Sequence, residues 1–434
     1  MSKHYSKASV AGLLIALGII YGDIGTSPLY VFDEIIKERA ITDDLIIGSL
    51  SCIIWTLTLQ TTVKYVILTL KADNRGEGGI FSLYALVRRQ KKWLVLPAMI
   101  GGAALLADGM ITPPISVTSA IEGLHQLDQI PLLRDISGDT IVVIVLSILA
   151  LLFFFQQFGT ASIGRLFGPI MLVWFTMLAV LGLAHLADDL AIFRALSPHY
   201  AIELLTKYPK GFWILGSVFL CTTGAEALYS DLGHCGRSNI RISWIFVKTC
   251  LVVNYLGQGA FLLAHYHGQV IDTEKLKVLY NLMPDWFRLF GIIIATTAAI
   301  IASQALISGS FTLISESIRL SLWPKMKIKY PTEERGQLFI GSLNLLLFVG
   351  CCGIVLYFKN STSMAAAYGL AITMCMISTS ILFANFLVGK RVMPFWIYLY
   401  LAVYLTIEIS FLIANLEKFP HGGFVTLIIG GGLF

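Results

Sequence analysis

Long apolar runs follow one another down the chain, separated by short polar stretches. A helix of about 20 apolar residues crosses the hydrocarbon core of a bilayer. Runs of that kind predict helices at 8–36, 45–70, 94–123, 139–157, 162–187, 211–232, 243–266, 289–318, 337–358, 364–388 and 394–413. A further apolar run opens near Gly422 and stops at Phe434, too short to span alone, so the chain is expected to be cut inside a twelfth helix. Between the second and third runs lies Lys71-Ala72-Asp73-Asn74-Arg75-Gly76-Glu77-Gly78-Gly79. After it, 80–89 has the amphipathic pattern of a segment lying on a membrane surface. The stretch 188–210 is a longer polar connection. The pattern predicts an all-α polytopic membrane protein.

Polar residues break into these runs at a few places, and those places carry the candidate chemistry. The first run holds Gly22-Asp23-Ile24-Gly25-Thr26-Ser27-Pro28-Leu29-Tyr30. A carboxylate at that depth costs about 2.5–3.5 kcal/mol even on the lenient insertion scale. Pro28 lacks the N–H that would pair with the carbonyl of Ile24, so open backbone with free carbonyls is expected beside an acid and two hydroxyls. Such a gathering of oxygens suits a dehydrated cation. A merely kinked helix with Asp23 capping its second half is the plainer alternative, and it leaves the buried charge unexplained. The sixth run repeats the arrangement in Thr222-Thr223-Gly224-Ala225-Glu226-Ala227-Leu228-Tyr229-Ser230-Asp231. The first and sixth runs open two five-helix halves, and paired interruptions at matching places point to a transporter binding site. In the third run Asp108, Thr112 and Ser116 recur every fourth residue and form one stripe. Pro113 and Pro114 there free the carbonyls of Gly109 and Met110. Glu122 falls near the outer end of that run, where water can reach it. Tyr368 and Thr373 flank Gly369 in the tenth run, and Glu408 in the eleventh is expected to be structural or interfacial.

Composition agrees with the pattern. The 434 residues are 56% hydrophobic and 13% charged, outside the range of soluble domains. The formal net charge of +5 does not imply nucleic acid, because the basic residues lie in loops between apolar runs. They are more numerous in the loops that are inside when the N-terminus is cytoplasmic, as with Arg88, Arg89, Lys91 and Lys92. The seven cysteines lie in or beside apolar runs, so free thiols are expected, with the adjacent Cys351 and Cys352 facing lipid. No Walker A loop and no His-Glu-x-x-His pattern occurs, so neither ATP-driven transport nor a zinc enzyme is indicated, and no cofactor is implied.

The motif Gly22–Tyr30 resembles the opening motif of the KUP/HAK/KT potassium uptake family. The resemblance continues through Arg75–Gly79, Ala107–Pro113, Gly224–His234, Ala367–Ala371 and Pro420–Gly423, nearly the whole chain, in the manner of a bacterial member. It implies a LeuT-like, APC-type fold: a 5+5 inverted repeat over about 8–187 and 211–388, plus two extra helices over 394–434. It implies proton-coupled potassium import across the plasma membrane. Carried over by motif, the ion ligands fall on Asp23, Tyr30, Thr112, Ser116, Thr223, Glu226 and Tyr368. Family members usually carry a cytosolic C-terminal domain, absent from this chain, to which dimer contacts and regulation are tied. Some relatives are inhibited by cyclic di-AMP, and nothing in this sequence decides that. Two neighbouring acids in a poorly hydrated site repel, so one takes up a proton readily. Glu226 is the expected proton carrier and Asp23 the steadier cation partner, with Asp108, Glu122 and Glu408 next in that order. An amino-acid transporter of the APC type ranks lower, because Asp23 and Glu226 would repel a substrate carboxylate. A potassium channel lacks its carbonyl-lined Thr-Val-Gly-Tyr-Gly filter here. A non-transporting sensor on a transporter fold is the remaining alternative.

Overall fold

The computed structural model describes residues 8–74, 76–127, 137–158, 161–274, 276–331 and 338–433. Arg75 of the loop motif and the start of the ninth run at 337 fall outside them. The helices in order are α1 (Val10–Ile20), α2 (Gly22–Thr26), α3 (Val31–Ile36), α4 (Asp43–Thr56), α5 (Ile80–Val87), α6 (Val95–Ile121), α7 (Gly138–Phe155), α8 (Ala161–His185), α9 (Pro198–Lys207) and α10 (Leu215–Val218). They continue with α11 (Ala225–Ser230), α12 (Leu232–Cys235), α13 (Arg237–Tyr266), α14 (Val278–Asn281), α15 (Asp285–Arg319), α16 (Gly341–Phe358), α17 (Ser361–Gly389), α18 (Pro394–Glu417) and α19 (Gly423–Leu433). Among the described residues, ten helices are long and apolar enough to cross a membrane, and one bent pair makes an eleventh. Their limits fall within a few residues of the apolar runs, except that α13 begins at Arg237. There the buried Asn239 meets the start of α1, accepting the Ser9 N–H at 3.2 Å.

The first run is broken where its glycines and proline lie. Val10–Ile20 and Gly22–Leu29 meet at 69°. A turn of 3-10 helix over Ser27–Leu29 and a non-helical Tyr30 separate α2 from α3. Opened backbone in a membrane must find partners inside the protein. It does: the Trp174 indole donates to the Gly25 carbonyl at 2.9 Å and the Gln258 amide to that of Pro28 at 3.2 Å. Thr26 closes on the Asp23 carbonyl at 2.9 Å. The carbonyls of Asp23, Gly25 and Pro28 are therefore taken by the protein, and these bonds do not include that of Ile24, the one that Pro28 is expected to free.

The sixth run is broken in the same manner. Short pieces of helix run to Thr222, Thr223 leaves helical geometry, and Gly224 turns the chain with φ +85° before α11 starts. A Cβ on Gly224 would lie 2.9 Å from the Ile24 nitrogen and 3.0 Å from an Asp23 carboxylate oxygen. The two breaks thus press directly against each other.

Two expectations change. The segment 80–89 is not a surface helix: α5 packs on α6, α15 and α17, with Ile80, Phe81, Leu83 and Val87 buried, because Gly101 and Gly102 on α6 leave room for Ile80 and Phe81. Cys351 does not face lipid. It is buried, and its thiol points 4.0 Å from the Gly109 carbonyl, one of those that Pro113 leaves without a helical donor.

The fit at Gly224 is testable. Gly224→Ala puts an L-residue at positive φ, which costs about 1–2 kcal/mol before any clash is added. Thermal unfolding in detergent should show a lower Tm for Gly224→Ala. Gly430→Ala, which meets nothing within 4 Å, should leave Tm unchanged or slightly higher. Equal Tm values for wild type and Gly224→Ala would contradict the packing.

Candidate functional site

The break in α1–α3 delivers Asp23 and its hydroxyl neighbours into the protein interior. Asp23, Tyr30, Thr112, Ser116, Thr223, Glu226 and Tyr368 are all buried. Around Asp23 the polar contacts form one connected set. Tyr368 on α17 donates to the Asp23 carboxylate, its hydroxyl 3.1 and 3.2 Å from the two oxygens. Thr112 on α6 lies 2.9 Å from that phenol and 2.7 Å from Asp108. Thr26 reaches Ser116 at 3.2 Å, so α2 and α6 meet through hydroxyls. Ser27 reaches Thr223 at 3.2 Å and Tyr30 at 3.5 Å, which ties the first break to the second. Glu226, in the first turn of α11, is not joined to this set by these bonds; it accepts from the Tyr65 hydroxyl at 3.0 Å. Of the stripe Asp108, Thr112 and Ser116, Ser116 meets α2 and Thr112 joins Asp108 to Tyr368 on α17.

Among the described residues, no three His, Cys, Asp or Glu side chains gather as a metal site. The oxygens around Asp23 are chiefly hydroxyls and two phenols, with the Asp108 carboxylate behind Thr112. A donor set of that kind carries little negative charge and suits a monovalent cation better than a divalent one, which calls for several carboxylates.

A small cavity of about 30 Å³ lies against Asp23. Ile19, Leu105, Ser230, Asp231, Ala302 and Ser310 are among its walls, which come from the end of α1, from α6, α11 and α15, and include no residue of α3.

The family profile described as "K+ potassium transporter integral membrane domain" matches residues 10–434. The chain belongs to the KUP potassium transporter family. It is 58% identical over 432 residues to the probable potassium transport system protein Kup of Flavobacterium psychrophilum, covering 99% of this chain and 65% of that protein. The corresponding protein of Flavobacterium johnsoniae is 58% identical over 98% of this chain and 64% of its own length. That of Clostridium perfringens is 54% identical, over 98% and 65%. The chain thus spans just under two thirds of the length of these curated relatives. A solved manganese transporter from Eremococcus coleocola aligns over 98% of this chain and 90% of its own at 13% identity, with a TM-score of 0.47, too distant to bear on the argument.

The other two acids of this KUP-family chain lie in different places. Glu122 is not with the Asp23 set, and it does not face water. It is buried at the far end of α6, where it accepts from the backbone N–H and the hydroxyl of Ser361, at the start of α17. Lys277, itself buried, completes it: its ammonium lies 2.9 Å from Glu122 and 3.8 Å from Asp33 on α3. Burial alone would lower the Lys277 pKa, yet the Glu122 and Asp33 carboxylates hold it above the ordinary lysine value. A second lysine, Lys418, binds Glu34 on α3 at 2.7 Å and Ser217 at 3.1 Å. Two ion pairs thus clamp α3.

Glu408 is not interfacial. It is fully buried and pairs with Lys64 at 2.5 Å. Lys64 was not among the residues that the sequence singled out, although the reasoning that marks Asp23 marks it too. It is a lone charge inside the second apolar run, and its depth is as costly as that of Asp23.

Removing one member of a buried ion pair strands the other, at a cost of about 3–5 kcal/mol. Lys277→Met should therefore lower Tm sharply, because it leaves two carboxylates behind. Adding Asp33→Asn and Glu122→Gln should recover much of the loss. A Lys277→Met protein with wild-type Tm would contradict the clamp.

Proposed function

We propose that this chain imports potassium by proton symport, with the cation held where the two broken helices touch. The observation that carries the reading is the buried, hydroxyl-rich set around Asp23, with a small cavity against it, in a chain of the potassium transporter family. Asp23, Tyr30, Thr112, Ser116, Thr223, Glu226 and Tyr368 supply the cation's ligands. Their side-chain oxygens replace its water, and Asp23 supplies the compensating charge.

The helices divide into halves over 8–187 and 211–388, a LeuT-like inverted repeat, with 394–434 as two added helices. The N-terminus lies in the cytoplasm, so the small cavity at Asp23, walled by α1, lies on the inner side of the break. The clamps on α3 then close the outer side. Alternating access requires α3 to leave Lys277 and Lys418 when the site opens outward.

Glu226 couples the proton. With Asp23 ionised close by, a second carboxyl must either share the cation or take up a proton. A proton on Glu226 leaves Asp23 as the ionised partner of potassium, so the site is balanced when it carries both inward together.

The test is uptake of rubidium into proteoliposomes with and without an inward proton gradient. Wild-type protein should accumulate rubidium in a gradient-dependent way. Asp23→Asn should abolish uptake while folding normally, and its uptake at the wild-type rate would contradict the ligand assignment. Glu226→Gln should retain exchange at equal concentrations and lose gradient-driven accumulation at least tenfold. Accumulation by Glu226→Gln with the wild-type pH dependence would assign the proton to another acid.

A further inference from the structure

The Lys64–Glu408 pair lies outside the ligand set and has no part in the scheme above. It also occupies unusual backbone. α4 continues as a π-helix over Leu57–Leu68, twelve residues long. Its wider turn shows in side-chain bonds that reach five residues back, from Thr62 to the Leu57 carbonyl at 3.0 Å and from Thr69 to that of Lys64 at 2.7 Å. π-helical turns are rare and occur mostly as short bulges, often at functional sites.

The Lys64 ammonium has three donors and no acceptor. They are directed at Glu408 on α18 (2.5 Å), the Met376 carbonyl on α17 (3.0 Å) and the Tyr65 hydroxyl (3.4 Å). The phenol oxygen can only accept from Lys64, so its single proton goes to Glu226, 3.0 Å away. The polarity of the chain from Lys64 through Tyr65 to Glu226 is fixed. Ser380 adds a bond to the same Glu408 oxygen at 2.9 Å.

An ammonium one phenol away from Glu226 is a tethered rival for the cargo cation. Glu408 is the only carboxylate within ion-pair reach of Lys64 among the described residues, and it holds the ammonium on the α18 side. With Lys64 neutralised there, Glu226 keeps its negative charge for potassium and its orientation through Tyr65. The added helix α18 therefore contributes to the ion site from outside the ten-helix core.

We infer that Lys64 is a positioning residue, an internal cation that Glu408 holds off Glu226 and that orients the Glu226 carboxyl through Tyr65. The inference rests on the reading of Glu226 as part of a monovalent cation site.

The experiment measures rubidium uptake kinetics and rubidium-dependent Tm shifts for the reconstituted wild type, Glu408→Gln, Lys64→Met/Glu408→Gln and Tyr65→Phe. A ligand that binds only the folded state raises Tm with its concentration. Glu408→Gln frees the ammonium and should raise KM for rubidium at least tenfold, with the rubidium needed for a given Tm shift rising in parallel. The double variant lacks the rival cation, so its KM should fall between those of wild type and Glu408→Gln. Tyr65→Phe should raise KM several-fold with little change in Tm in the absence of rubidium. A pair with a purely structural role would lower Tm in Glu408→Gln and leave KM of the folded protein at the wild-type value. Wild-type KM in both Glu408→Gln and Tyr65→Phe overturns the inference. If Glu408→Gln cannot be purified, wild-type KM in Tyr65→Phe alone overturns it. A wild type that neither takes up rubidium nor gains stability from it removes the cation-site reading, and the inference with it. Uptake that is normal in wild type and insensitive to these variants removes the inference only.

Discussion

The carboxylate of Asp23 lies where two interrupted helices touch, and the rest of the bundle is arranged to make that contact possible. A charge and two lengths of non-helical backbone are both costly inside a membrane. The protein offsets the backbone cost with donors from outside the break, Trp174 on α8 and Gln258 on α13. It meets the charge with the Tyr368 phenol rather than with a permanent counter-ion. No lysine or arginine lies within ion-pair distance of Asp23 among the described residues. An acid stabilised only by neutral donors keeps most of its affinity for a cation that arrives and leaves.

The permanent charges are held elsewhere, in pairs. Lys277 and Lys418 clamp α3, and Lys64 is bound to Glu408 on the far side of Tyr65. Buried pairs of this kind add little net stability over apolar packing, and breaking them is expensive. Their value here is positional. Each joins a moving part of the proposed cycle to a helix outside it: α3 to α18 and to the loop before α14, and the α11 carboxylate to α18 through Tyr65.

Much of this was legible in the sequence, and the boundary of what was not is physical. Apolar length gave the spans, because hydrocarbon thickness imposes it. The breaks were legible because glycine, proline and an acid inside an apolar run each conflict with a plain helix. Thr112 and Ser116 were placed by their spacing. Lys64 was passed over because a single lysine brings no glycine or proline with it, and the π-helix that carries it leaves no mark in residue type. Glu122 was expected near water because position along a run does not tell whether a loop folds over its end, and here Lys277 and Ser361 do. The opened backbone was legible locally, whereas the donors that satisfy the Gly25 and Pro28 carbonyls come from helices about 150 and 230 residues away in sequence.

The central claim is that a monovalent cation binds at the contact of the two breaks. The most direct measurement is a structure of the protein with rubidium, using the anomalous signal of that ion to locate it. The account predicts a peak between α2, α6 and α11, in contact with oxygens of Asp23 and Thr223. Peaks confined to loops, with the Asp23 pocket holding only its own hydrogen bonds at saturating rubidium, would contradict it.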